Sequence, residues 1–134
     1  MSGGPLVVVG AALLDGGRLL AARRTGPPAL AGGWELPGGK VDPGEGERAA
    51  LVRECREELG VEVELLQRVG GDWPLPPSAV LRVWTARVVA GVPAAGPDHS
   101  ELRWLDPGDW YGVAWLDADL PVVRAVQALA GPAA

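Results

Sequence analysis

The sequence predicts an α/β domain, a mixed β-sheet sandwiched between helices. Three observations carry that expectation. Strand-like segments, apolar throughout or alternating apolar with polar, occur in both halves of the chain. Two stretches, Glu47–Leu59 and Leu120–Ala130, instead carry apolar residues at helical spacing. No internal repeat or linker divides the chain, so strands and helices must share one core, with helices on both faces of the sheet. A length of 134 residues fits a single domain, residues 1–134, and suffices for a proper core.

Residues 5–14 are an apolar, Val-rich run, expected as a buried strand. Asp15, Gly16 and Gly17 signal a turn, and Arg18–Arg24 (RLLAARR) returns as the hairpin partner. Residues 25–33 form a loop, broken by Pro27, Pro28, Gly32 and Gly33. Residues 34–36 make a short strand that enters Pro37, Gly38 and Gly39. The first helix, Glu47–Leu59, has Leu51, Val52, Cys55 and Leu59 on its apolar face. Glu45 and Glu47 favour its positive end, and Gly60 is the stop signal. Residues 61–69 (VEVELLQRV) alternate as a strand, and residues 70–78 (GGDWPLPPS) read as a loop. Residues 79–89 (AVLRVWTARVV) give the strongest strand signal of the second half. A Gly/Pro loop over residues 90–97 leads to a short strand over 101–105 and a turn over 106–110. The last helix, Leu120–Ala130, places Val122, Val123, Val126 and Leu129 on its apolar side.

A formal net charge of -5 argues against polymeric nucleic acid as a bulk electrostatic partner. It leaves room for a nucleotide, whose phosphates a cation can meet locally. The single Cys rules out an internal disulfide and fits a reducing, cytoplasmic setting. The start, MSGGPLVVVGAALL, lacks the basic segment of a secretory leader. No apolar run reaches the roughly 18 residues of a membrane span, so no membrane partner is expected.

The densest chemistry lies between Gly38 and Val61 (GGKVDPGEGERAALVRECREELGV). Glu54, Glu57 and Glu58 stand at i, i+3 and i+4, so a helix puts all three on one face. Glu54 and Glu58 then lie roughly 6 Å apart along the axis. Like charges at that spacing cost about 0.2–0.5 kcal/mol per pair. A hard divalent cation bound by oxygens offsets such a cost. So does a solvated face with Arg53 and Arg56 interleaved.

The order around the triplet decides between these. Gly39 is followed after five residues by Glu45, and after seven more by Arg53-Glu54-Cys55-Arg56-Glu57-Glu58-Leu59-Gly60-Val61. This run resembles the Nudix box, G-x5-E-x7-R-E-U-x-E-E-x-G-U, where U is a bulky aliphatic residue. Every fixed polar and glycine position matches. Cys55 departs at the first U, where a free thiol behaves as a small buried hydrophobe. The flanks extend the resemblance over most of the chain.

The resemblance implies the α/β/α Nudix sandwich and hydrolysis of a nucleoside diphosphate linked to another group. It implies Mg²⁺ or Mn²⁺ held by Glu54, Glu57 and Glu58, joined by the backbone carbonyl of Gly38. One of the three, Glu54 in the first instance, is a candidate for holding the attacking water as general base. Arg53 and Glu45 match the structural pair of the box, a fork that would lock the loop onto the helix. Gly39 serves backbone conformation. Lys40 either reaches a phosphate or is solvated.

Outside the box, three features resemble the MutT-type enzymes. Arg23 or Arg24 on the second strand matches a basic residue that approaches a phosphate. Glu101 in HSELRWL matches a carboxylate that reaches the metal from another loop, with His99 supporting that loop. Asp119 in WLDADLPVV matches a polar residue that meets the base edge; its alternative role is the cap of the last helix.

Three functions follow. The first is a nucleoside triphosphate pyrophosphohydrolase for nucleotide pool sanitation. Its substrates are cytosine-type (CTP, dCTP, 5-methyl-dCTP) because a carboxylate at Asp119 only accepts hydrogen bonds and the cytosine amine only donates. Oxidised guanine (8-oxo-dGTP) is the alternative. The second is a dinucleotide pyrophosphatase for NADH or ADP-ribose, echoed by Trp73-Pro74-Leu75-Pro76-Pro77-Ser78. The third, a non-catalytic binding module, conflicts with a box that keeps every carboxylate. The sequence is compatible with a homodimer and does not require one.

Overall fold

The computed structural model describes residues 6–130. The expected strand start at Pro5 and both ends of the 1–134 domain lie outside them. Seven strands and two helices follow in the order β1 (Leu6–Asp15), β2 (Arg18–Arg24), β3 (Trp34–Glu35), β4 (Gly38–Lys40), α1 (Glu47–Leu59), β5 (Glu62–Leu75), β6 (Ala79–Ala90), β7 (His99–Leu105) and α2 (Leu120–Ala130). The sheet is mixed, as the sequence predicts.

β1 is the strand about which the sheet is organised. It runs parallel to β6 from Leu6↔Ala79 to Leu13↔Ala86. Its other side pairs antiparallel with β4 at Val8–Gly10 and with β2 at Leu14–Asp15. β2 in turn carries β3 and β7, both antiparallel, while β5 lies against β6. Successive side chains of a strand point to opposite faces, and the core divides accordingly. Ala11 and Leu13 face α1, meeting Leu51, Cys55 and Leu59; Ala12 faces the side of Val122, Val123 and Val126 of α2. Each fully buried Leu or Val contributes about 1.5–3 kcal/mol by leaving water. Both helices are therefore fixed to the sheet by one face each. Among the described residues no helix is long and apolar enough to cross a membrane.

The structure departs from expectation in four places. Residues 70–75, read as loop, continue β5. The ladder to β6 holds Trp73, Pro74 and Leu75 opposite Leu81, Val80 and Ala79. The glycines there mark a bulge between Val69 and Trp73, with Gly70 at φ 61. Pro74 is tolerated because β5 is an edge strand. β4 carries no strand signal because two of its three residues are glycine; pairing with β1 makes it a strand. β7 begins at His99, earlier than Glu101, because Arg24 supplies a ladder partner. Leu129 is exposed at 47%, since α2 docks through its first two turns.

Candidate active site

The loop from β4 to α1 is clamped by one guanidinium. Arg53 Nε donates to Glu45 Oε2 at 2.8 Å and its Nη2 to Glu45 Oε1 at 3.0 Å, the expected fork. Its Nη1 donates to Glu54 Oε2 at 3.2 Å and to Glu57 Oε1 at 3.1 Å. Its Nη2 also reaches the Lys40 carbonyl at 3.1 Å. Arg53 thus offsets the like-charge cost of the triplet and binds the loop to the helix at once. Its hydrogen bonds hold the Glu45 carboxyl below its ordinary pKa.

Two glycines let β4 approach α1. A Cβ at Gly39 would stand 2.5 Å from Glu54 Oε2. One at Gly38 would strike the Val9 carbonyl and lie 2.8 Å from Gly10 Cα. The bare Gly38 N–H donates to Glu58 Oε1 at 3.3 Å. Glu54, Glu57 and Glu58 line a cleft of about 200 Å³ together with Gly96, Pro97, Asp98 and His99. Burial pushes the Glu58 carboxyl up to about 7, with the Glu54 charge adding to it. Burial also raises Glu54.

His99 of β7 lines the other side of the cleft, with Glu35 and Arg24 bonded behind it. His99 is buried, and its Nε2 lies 2.9 Å from Glu35 Oε2. Arg24 Nη1 donates to the other oxygen of Glu35 at 3.0 Å. Burial alone would lower His99, but the hydrogen bond to Glu35 and the Glu58 charge outweigh it and its pKa ends above the ordinary value. Thr25 donates its N–H and its hydroxyl to the Asp98 carbonyl, both at 3.1 Å, and so seats the Asp98 loop.

The sequence from residue 4 to residue 123 matches the family model described as the NUDIX domain. The chain belongs to the Nudix family. It is similar to a Mycobacterium tuberculosis protein named "Putative 8-oxo-dGTP diphosphatase 2", 47% identical over 116 residues, covering 84% of this chain and 82% of that protein. It is similar to the CTP pyrophosphohydrolase of Escherichia coli K12, 36% identical over 124 residues, covering 91% of each. Its fold matches the crystal structure of a MutT NUDIX hydrolase from Burkholderia pseudomallei with a TM-score of 0.81, at 32% identity, over 93% of this chain and 100% of that one. The chain is a Nudix hydrolase, with pyrophosphohydrolases among its relatives.

Nudix hydrolases generally use a divalent metal, and the box carboxylates fit one. Three glutamates and Asp98 offer only hard oxygen donors around one cleft. Glu54 and Glu58 are half-buried, and burial raises both carboxyls in spite of Arg53 beside the one and His99 near the other, so a dication there would be favourable. Among the described residues no three side chains converge as a preformed cage. Glu54 and Glu57 are turned to Arg53, and Glu58 to Gly38.

The Nudix cleft sorts the remaining residues. Glu101 does not line it. It faces Arg23 across the β2–β7 ladder and binds Arg103 at 2.9 Å, which lies over Trp34 on the α2 side. Asp98 takes the place beside the box glutamates. A lone Asp in a Gly/Pro loop is an ordinary turn residue, so only its position next to His99 hinted at this. Arg24 is half-buried and bonded to Glu35 and the Gly26 carbonyl, whereas Arg23 is exposed with its Nε near the Gly32 carbonyl. The Lys40 side chain is exposed. Glu35, which sequence reasoning missed, reads as a strand residue between Trp34 and Leu36. Asp119 is 7% exposed, and its Oδ1 accepts the Leu36 N–H at 3.1 Å. Only its backbone carbonyl serves α2, accepting from Val123 N–H at 2.9 Å. Burial pushes its carboxyl up to about 7.

Proposed function

We propose that this chain hydrolyses (deoxy)nucleoside triphosphates to the monophosphate and pyrophosphate with Mg²⁺ or Mn²⁺, preferring cytosine-type nucleotides, as a cytoplasmic sanitiser of the nucleotide pool. One observation carries the reading: Glu54, Glu57 and Glu58 line a single cleft with Asp98, and partial burial raises the carboxyls of Glu54 and Glu58. Such hydrolysis forms one P–O bond to water, breaks one anhydride P–O bond and releases a proton. It asks the protein mainly for positioning and charge neutralisation.

Glu54, Glu57, Glu58 and Asp98, with the Gly38 backbone beside them, would hold the cation. When bound, the metal supplies positive charge that neutralises phosphate oxygens. One of the three glutamates, Glu54 in the first instance, is the candidate to hold the attacking water as general base instead of ligating the cation. Arg53 and Glu45 keep the loop and helix in register. Arg24, anchored by Glu35, offers a guanidinium to the phosphate chain, and exposed Lys40 and Arg23 add charge at the rim.

Asp119 sets base preference. Its Oδ1 is taken by the Leu36 N–H, which leaves Oδ2 for the base. Ionised, that oxygen accepts from the cytosine amine and rejects the carbonyl of uracil. A buried acceptor left unpaired costs about 1–3 kcal/mol, roughly tenfold to a hundredfold in preference. A second reading, 8-oxo-dGTP, is favoured by the mycobacterial relative and by the raised Asp119 carboxyl, whose protonated form donates to a carbonyl.

The test compares kcat/KM for CTP, dCTP, 5-methyl-dCTP, UTP and 8-oxo-dGTP in wild type, Asp119→Asn and Asp119→Ala. CTP should exceed UTP by at least about tenfold, and the ratio should collapse in both variants. Equal turnover of CTP and UTP, or ratios unmoved in Asp119→Ala, leaves Asp119 a structural residue.

A further inference from the structure

Three adjacent strands each send one side chain to the same place. The ladder sets Ala22 opposite Glu35 and Arg24 opposite His99. Residues two apart share a face, so Glu35, Arg24 and His99 stand together on the side of α1. Glu35 divides its carboxylate between the others: Oε1 accepts from Arg24 at 3.0 Å and Oε2 meets His99 Nε2 at 2.9 Å. Its side chain is 17% exposed and that of His99 is 1% exposed.

A carboxylate only accepts hydrogen bonds. The shared proton therefore sits on His99 Nε2, and the ring has one fixed orientation. Nδ1 is buried with no partner among the described residues. The next residue back is Asp98, which lines the cleft with Glu58. Among the described residues, Glu35 is the one group that bonds both Arg24 and His99, the neighbour of Asp98.

We propose that Glu35 is a positioning residue: by holding Arg24 and His99 with its two oxygens it fixes Asp98 against the box glutamates and Arg24 against the phosphate chain. This rests on the metal-dependent reading above. Carboxylates that orient a metal-ligating histidine set the scale for such positioning: their loss costs about 10–100-fold in metal affinity or activity.

Glu35→Gln separates positioning from folding. A glutamine has the same shape but one acceptor and one donor. Its oxygen can keep Arg24; its amide then donates to His99 Nε2, and the ring proton must move to Nδ1. The chain has a single His, so ¹⁵N spectra of the ring report one residue. Wild type should show a protonated Nε2, and Glu35→Gln a protonated Nδ1. Mn²⁺ affinity of the nucleotide-free protein, read by electron paramagnetic resonance, and kcat with CTP should each fall about tenfold or more. The melting temperature should stay close to that of wild type. Mn²⁺ affinity and kcat within twofold of wild type would overturn the proposal. So would an unmoved ring proton, or losses that vanish at a lower temperature where the variant is fully folded. Should Glu35→Gln fail to fold, Glu35→Asp, which keeps the acceptor chemistry but shortens the reach, takes the same measurements. A tenfold loss of Mn²⁺ affinity in it supports positioning, and a wild-type value overturns it. If wild type turns over no nucleoside triphosphate, the functional reading fails on its own, and the ring and Mn²⁺ measurements still decide the role of Glu35.

Discussion

Gly39→Ala is the sharpest probe of how the box is built. Gly39 is not among the glycines at positive φ, so alanine finds an allowed backbone there. The new methyl would instead stand 2.5 Å and 2.7 Å from the two oxygens of Glu54, where ordinary contact begins at 3.4 Å. The carboxylate must retreat by about 1 Å. Glu54 is the end of a flexible side chain, so the fold yields cheaply. The lower entropy of the unfolded alanine chain returns about 0.4–1 kcal/mol of stability. Chemistry is less forgiving, because a 1 Å misplacement costs about 100-fold. That is about 2.7 kcal/mol on the barrier. The expected result is a melting temperature near wild type with kcat down about 100-fold and weakened Mn²⁺ binding. Gly38→Ala is the contrast. Its methyl would strike the Val9 carbonyl, which cannot swing aside, so β4 must leave β1 and the melting temperature should fall with activity. Gly39→Ala with wild-type kcat and Mn²⁺ affinity would refute the placement of Glu54. Unfolding of that variant would refute the view that only a side chain yields.

Glu57→Gln or Glu58→Gln should lower kcat at least about 100-fold, the scale of losing one main electrostatic group, with the fold intact by circular dichroism; unchanged turnover in either removes the box from the chemistry. Glu45→Gln breaks half of the Arg53 fork, so melting temperature and activity should fall together. Native stability with abolished chemistry would make Glu45 catalytic instead. Asp119 is raised to about 7 from an ordinary 3.8, so the folded state binds its proton more tightly than the unfolded chain. Stability therefore falls as pH rises from about 4 to about 7 and levels off above. Melting curves at pH 5 and pH 8 should show a smaller drop for Asp119→Asn than for wild type, and equal drops would mean that Asp119 is not buried as described.

Both helices and the mixed sheet were legible in the sequence because their signals are local. Glu47–Leu59 ends at a glycine in the left-handed region, Gly60 at φ 71, and its apolar face is continuous. β4 and the outer half of β5 were not legible, since glycines and a proline there are held in strands by partners distant in sequence. The box residues came together because their spacing encodes one turn of helix and one glycine approach. The rest of the site crosses strands. His99, Glu35 and Arg24 meet through the β3–β2–β7 ladder, which no spacing records. The placement of Glu101 was not legible for the same reason: its strand face, set by pairing with Arg23, turns it toward Arg103.

The most direct measurement is product analysis with CTP and Mg²⁺, reading orthophosphate before and after addition of inorganic pyrophosphatase, in wild type and Glu57→Gln. Wild type should give orthophosphate only after the pyrophosphatase is added, with CMP as the nucleotide product. Glu57→Gln should give little, and excess EDTA should abolish the signal. Orthophosphate and CDP released directly, or undiminished release in EDTA or in Glu57→Gln, would contradict a metal-dependent pyrophosphohydrolase built on these glutamates.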